Sequence, residues 1–213
     1  MTIELKNVTY GYSRSETPVL KNFSAVFHRG QITALTGENG CGKTTVSKLI
    51  TGVLRPDEGT VVIGGEDIKG LDLFAVSQKA GYLWQNPNQQ LFCATVREEI
   101  AFSLRNKGLS EAETERSAQY WLAFFHLEHL ADARTHQLSL GEKQRLALAC
   151  VLSLGASRLV LDEPTGGLDL RSRRILGQLL RELADDGCGV VMISHEKDFI
   201  RRWADAEVRI CSG

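Results

Sequence analysis

The sequence predicts an α/β fold: a mostly parallel sheet covered by helices on both faces, with a helical insertion. Three observations carry this. Short apolar strands alternate with amphipathic helices, the pattern of parallel sheets. Several strands end on polar residues, at Gly37, Gln85, Asp162 with Glu163, and His195. In such sheets ligands sit at the carboxyl ends of strands. Finally, residues from about 95 to 155 change to helical periodicity.

The elements follow in order. Ile3 to Thr9 alternates apolar and polar residues, as a half-buried strand does. Val19 to Phe27 is similar and ends at the Arg29-Gly30 turn. QITALTG, from Gln31, is an apolar strand entering a glycine-rich loop, and Lys43 to Gly52 reads as a helix. Thr60 to Ile63 is a strand closed by Gly64-Gly65, and Gly81 to Trp84 is another. Val96, Ile100 and Leu104 share one helical face. Ser110-Glu-Ala-Glu113 is a capping box opening a helix with Trp121, Leu122 and Phe125. LSLGEKQRLALA, from Leu138, opens a third helix with Ser139 and Glu142 as its box. Arg158 to Leu161 is a strand ending on two acids. The next helix has Leu170, Ile175, Leu176, Leu179, Leu180 and Leu183 on its apolar side, with Gly187 as its cap. GVVMI, Gly189 to Ile193, is a fully apolar strand running into Ser194-His195.

Bulk properties narrow the function. The 213 residues suit one domain with a subdomain, and a net charge of −1 gives no basic surface for nucleic acid. No apolar run nears the ~18 residues of a membrane span, and the start MTIELKNVTY has no signal-peptide pattern. Five cysteines (41, 93, 150, 188, 211), none spaced C-x-x-C, argue against a disulfide framework or zinc site. They read as small hydrophobes or neutral fill in a reducing compartment. Cys41, inside the glycine-rich loop, is the one whose modification would block a ligand there.

The chemistry begins at Gly37-Glu-Asn39-Gly40-Cys41-Gly42-Lys43-Thr44, which fits G-x-x-x-x-G-K-[ST] between a strand and a helix. Glycines let backbone N–H groups curl around phosphate oxygens. Lys43 places a point charge at the β and γ phosphates, and the Thr44 hydroxyl is a ligand for Mg2+. The helix that follows adds its positive end. Asp162, closing RLVLDE, is placed to hold the metal through water, and Glu163 to orient or deprotonate a water. Capped helix starts such as Ser139's carry free N–H groups and about +0.5 of an elementary charge, an anion site if phosphate is near.

Taken together, these motifs resemble the ATP-binding cassette (ABC) ATPases over nearly the whole chain and in family order. The resemblance implies a P-loop NTPase (RecA-like) core with an N-terminal antiparallel β-subdomain and an inserted helical subdomain, all within a single domain, 1–213. ATP and Mg2+ are the implied ligands. Tyr12 in NVTYGY matches the adenine-stacking aromatic, with Tyr10 its rival. Gly37, Asn39, Gly40, Cys41, Gly42, Lys43, Thr44 and Thr45 match the phosphate loop. Gln85 matches the Q-loop glutamine, which contacts Mg2+ and the attacking water. LSLGEKQ matches the signature, with Leu140 where the family most often has glycine. Asp169 matches the D-loop aspartate and His195 the switch histidine at the γ-phosphate.

In that family two cassettes pair head to tail, so Ser139 and Gly141 would face an ATP held by the other chain. The partner would be a second cassette, either a copy or a paralogue, beneath an integral membrane protein. The segment from Trp84 to Phe102, WQNPNQQLFCATVREEIAF, resembles the ATPases of energy-coupling-factor importers for vitamins or transition-metal ions. Those usually carry a further C-terminal region, whereas this sequence stops at Gly213. The expectation is an ATP-hydrolysing subunit on the cytoplasmic face of the membrane. A soluble ABC-type ATPase of cofactor assembly is the alternative, and an exporter role stays open. The spacing from Gly42 to Leu138 leaves no room for the long coiled coil of DNA-maintenance forms.

Overall fold

A computed structural model describes residues 2–13 and 17–210. Cys211 therefore lies outside the described residues. The chain forms two compact units, one of Met1–Tyr82, Ala156–Glu163 and Arg174–Gly213, the other of Leu83–Gly155 and Pro164–Arg173.

The first unit contains two sheets. Strands β1 (Ile3–Tyr10), β2 (Leu20–Phe27), β4 (Glu58–Ile63) and β5 (Glu66–Asp67) form an antiparallel sheet in the order β2-β1-β4-β5. Strands β3 (Ile32–Gly37), β6 (Gly81–Leu83), β7 (Arg158–Asp162), β8 (Gly189–Ile193) and β9 (Ala206–Ile210) form the second, ordered β6-β7-β8-β3-β9. β3 pairs in parallel with β8 and β9, and β7 pairs in parallel with β8. One apolar core joins them: Ile3, Leu5 and Ile63 from the first sheet meet Leu35, Val160 and Val191 from the second, with Val46 and Leu49 of helix α1 (Lys43–Ile50). Short helices α2 (Leu73–Ser77) and α7 (Lys197–Trp203), and helix α6 (Leu170–Asp185) from Arg174 onward, also belong to this unit.

Register places the chemistry. Asp162 pairs with Ile193, and Leu35 pairs with Ile193 from the other side. Three parallel strands thus end together, and the residues that follow, Glu163, Ser194 and the loop after Gly37, share one sheet edge.

In the second unit, helices α3 (Val96–Asn106), α4 (Glu111–Phe124) and α5 (Leu140–Ser153) bury Val96, Ile100, Leu104, Ala118, Leu122 and Leu146. All three start with capping boxes. Those at Ser110–Glu113 and Ser139–Glu142 match the sequence expectation, and Thr95–Glu98 is a third. α6 (Leu170–Asp185) departs from its expected apolar side at one end. Leu176 and Leu180 are buried, but Leu170 is 83% exposed, because it is the helix's first residue, a turn ahead of the packed stripe.

Candidate functional site

The glycine-rich loop is shaped by steric necessity. Gly37 has φ 149°, and a Cβ there would sit 2.6 Å from both Cys41 Sγ and the Ile210 carbonyl. Gly40 and Gly42 also have positive φ, 83° and 106°, the left-handed region that favours glycine. The loop curls back over Lys43, whose ammonium is nearly buried and donates to the Gly37 and Glu38 carbonyls, each at 2.8 Å. Gly42 caps α1 without a side-chain acceptor, so the first N–H groups of the helix are left for a ligand. Asn39 and Gly40 form the exposed rim. Cys41 is buried beneath the loop and packs as the small hydrophobe the sequence suggests.

Thr44 Oγ1 donates to Asp162 Oδ2 at 2.9 Å, joining loop and strand β7. Asp162 is 1% exposed. Burial raises its carboxyl pKa, against the Thr44 hydrogen bond and the charges of Lys48, Lys43 and His195. Next along, Glu163 adopts φ 54° while its N–H donates to the Ile193 carbonyl at 3.0 Å. That turn aims the side chain along the sheet edge. Its Oε1 lies 3.5 Å from His195 Nε2, and burial raises its pKa, partly offset by His195. The His195 ring is about half exposed.

Of the two candidate tyrosines, Tyr12 is the exposed one, and its hydroxyl lies 3.2 Å from Thr45 Oγ1 on α1. Tyr10 packs on the core and meets the Tyr12 ring edge-on, with centroids 5.1 Å apart. The first unit therefore gathers Tyr12, the phosphate loop, Asp162, Glu163 and His195.

Gln85, Ser139, Gly141 and Asp169 lie in the second unit. Glu142 Oε2 accepts from both the Ser139 N–H and hydroxyl at 2.7 Å, which locks the start of α5. Leu140 points outward, 62% exposed. Gly141 packs against Gly167, with room for no side chain: a Cβ would stand 2.8 Å from the Gly167 carbonyl oxygen. Asp169 accepts from the Ser172 N–H at 2.7 Å, which makes it the cap of α6 and holds its carboxyl below the usual range. Gln85 is exposed, and the segment after it is closed on itself. Gln90 Oε1 accepts the Trp84 N–H at 3.1 Å, and Asn86 Oδ1 accepts the Asn88 N–H at 3.0 Å.

Two features were not anticipated from sequence. Lys143 of α5 donates to Asn88 Oδ1 at 2.8 Å, tying the segment after Gln85 to the helix that Ser139 starts. Buried Glu99 accepts from the Phe92 and Cys93 N–H groups at 2.9 and 2.6 Å and so fixes the far end of that segment. Its signal was present: an acid one residue before a buried apolar position of an amphipathic helix faces inward and needs donors.

The chain is similar to known proteins. The ABC transporter family profile matches residues 20–166. A putative ABC transporter ATP-binding protein of Pyrococcus furiosus is 40% identical, covering 99% of this chain and 80% of its own. The energy-coupling factor transporter ATP-binding protein EcfA of Methanothermobacter thermautotrophicus is 37% identical, covering 99% of this chain and 68% of its own. Among solved structures, the dimeric ATP-binding cassette MJ0796, in a post-hydrolysis state with ADP and Pi bound, aligns with a TM-score of 0.89. Its identity is 28%, over 98% of this chain and 94% of that one.

Proposed function

The chain belongs to the ABC transporter family of ATP-hydrolysing cassettes, and on that footing we propose that it powers an energy-coupling-factor importer of a vitamin or a transition-metal ion. The observation that carries the finer reading is the segment from Trp84 to Phe102, together with the likeness to EcfA along 99% of the chain.

In this reading Tyr12 stacks on adenine and Lys43 neutralises the β and γ phosphates. Backbone N–H groups from Asn39 to Thr45 surround the phosphate oxygens. The Thr44 hydroxyl and Asp162 carboxylate, 2.9 Å apart, are hard oxygen donors of the kind Mg2+ takes. Thr44 and Asp162 would hold Mg2+, which would supply charge neutralisation at the phosphates, and Gln85 is assigned to the metal by its match to the Q-loop glutamine alone. Glu163 takes a proton from water as the water oxygen attacks the γ-phosphorus. The bond from that phosphorus to the bridging oxygen breaks, releasing ADP and phosphate. The raised pKa of Glu163 makes it a better base than an exposed carboxylate, and His195 orients Glu163 and the γ-phosphate together.

The second cassette, a copy or a paralogue, supplies its own Ser139 and Gly141 across the nucleotide, with Asp169 lining the seam. ATP then favours the closed pair because both chains contact the γ-phosphate, and hydrolysis removes that differential contact. Among the described residues no helix is long and apolar enough to cross a membrane. The importer reading has the chain peripheral on the cytoplasmic face, held by an integral membrane partner. A mild-detergent pull-down of the tagged protein from its own membranes tests it. Recovery of a polytopic membrane protein with a second cassette supports the importer reading. Recovery of soluble partners alone favours a cofactor-assembly ATPase and overturns it.

A further inference from the structure

Beside the phosphate loop, at the carboxyl ends of β3, β8 and β9, lies a cavity of about 470 Å3. Gly37, Glu38, His195, Lys197, Arg201 and Arg209 are among the residues that line it. The same Gly37 and Glu38 hold the Lys43 ammonium through their carbonyls at 2.8 Å. The cavity therefore shares a wall with the phosphate loop and shares His195 with Glu163.

Its charge is set against the rest of the molecule. The chain as a whole carries −1, yet three permanent cations and an imidazole converge here. The carboxylates of Glu38 and Glu207 also line it, so these side chains leave one net positive charge, and Glu207 accepts the Thr36 hydroxyl at 2.5 Å. Arg201 has Asp198 at 3.8 Å, but both are well exposed, and such pairs hold little. A concave, locally cationic surface concentrates anions in proportion to their charge. In the reading proposed above, an inorganic phosphate anion forms where His195 contacts the γ-phosphate.

We propose that this cavity is a binding site for inorganic phosphate, which receives the cleaved product from the His195 side and holds it before release. The inference rests on the reading of His195 as the γ-phosphate contact. Lys197, Arg201 and Arg209 bear the product's charge and have no part in the chemical step.

The test is titration of inorganic phosphate onto the full-length, ADP-loaded protein by calorimetry, beside phosphate inhibition of steady-state turnover followed through ADP formation. Lys197→Ala with Arg201→Ala is expected to weaken phosphate binding about tenfold, a loss of about 1.4 kcal/mol, with kcat/KM for ATP unchanged. Arg209→Glu is expected to weaken it at least as much. Unchanged phosphate affinity in both variants overturns the proposal, as does equal inhibition by chloride at matched ionic strength, which marks simple screening. His195→Ala separates the two levels. Full turnover in that variant defeats the γ-phosphate reading. Lost turnover with phosphate affinity indifferent to Lys197 and Arg201 defeats the cavity proposal alone.

Discussion

Glu163 Oε1 stands 3.5 Å from His195 Nε2, across the ends of two adjacent parallel strands. Each side chain is fixed from below, Glu163 by its N–H bond to Ile193 and His195 by following the buried Ser194. The proposed base and its proposed orienting group are thus held by backbone, and changing one atom of the carboxylate is a clean perturbation.

Glu163→Gln is expected to lower kcat by about 10²–10⁴ while ATP still binds and drives pairing. The measurement is steady-state ATPase beside light scattering with and without ATP. Full activity in this variant removes Glu163 from the role of base. The substitution should also raise the melting temperature at neutral pH. Burial raises the folded pKa of Glu163, so the native state binds the proton more readily than the unfolded chain. The stability this confers is fully present below the unfolded value near 4.5 and is lost as pH rises through the folded value. At neutral pH the ionised carboxylate is a cost, and the amide removes it.

The same shift fixes the pH dependence of the rate. A base must be unprotonated, so kcat/KM falls as pH drops through the raised pKa of Glu163. The acid limb is expected to lie above the ordinary glutamate value of 4.5. A pH profile on the stable protein reads this directly. A limb at or below 4.5 assigns the essential proton elsewhere.

Backbone strain at Glu163 gives an independent handle. With φ 54°, a non-glycine residue there costs about 1 kcal/mol. Glu163→Gly should therefore be more stable than Glu163→Ala by about that amount, although neither turns over. Chemical denaturation of the pair checks it, and equal midpoints would mean that the left-handed turn relaxes.

Much of this was legible in the sequence because phosphate chemistry leaves local marks. The spacing of Gly37, Gly42, Lys43 and Thr44 is dictated by a loop whose backbone encloses an anion, and such a loop survives in any one-dimensional reading. The capping boxes at Ser110 and Ser139 are equally local. The exposure of Leu170 was not legible, since periodicity sets a face but not how far along the helix packing extends. Nor was the bond from Lys143 to Asn88, which joins residues 55 positions apart. Gly177 illustrates the same limit. In sequence it is a helix-weakening glycine inside LRSRRILGQLL. In the structure a Cβ there would lie 2.2 Å from the Trp203 ring.

Gly177→Ala is accordingly expected to destabilise the fold by about 1–3 kcal/mol, because the Trp203 indole of α7, seated against Gly177, must shift to admit the methyl group. The residue lies outside the catalytic cluster, so activity per folded molecule should be unchanged at low temperature. Thermal melting and ATPase on the same preparation separate the two. A melting temperature equal to the parent's would show that Trp203 rotates away freely.

Gly141 and Gly167 make the sharpest case for the second unit. Their backbones touch, with Gly141 in the first turn of α5 and Gly167 at φ 70° in the segment leading to Asp169. Gly141→Ala brings a Cβ within 2.8 Å of the Gly167 carbonyl oxygen, and a carbonyl oxygen, unlike a flexible side chain, moves only with its backbone. The expected cost is about 1–3 kcal/mol in stability. Because Ser139 and Asp169 sit at the two ends of this contact, the ATP-dependent pairing should weaken about tenfold as well. Leu140→Ala is the control. Its side chain is 62% exposed, so stability should change by about 0.5 kcal/mol or less. If Leu140→Ala impairs pairing as much as Gly141→Ala does, the side chain at 140 itself touches the partner, and the backbone contact at 141 is not what pairing requires.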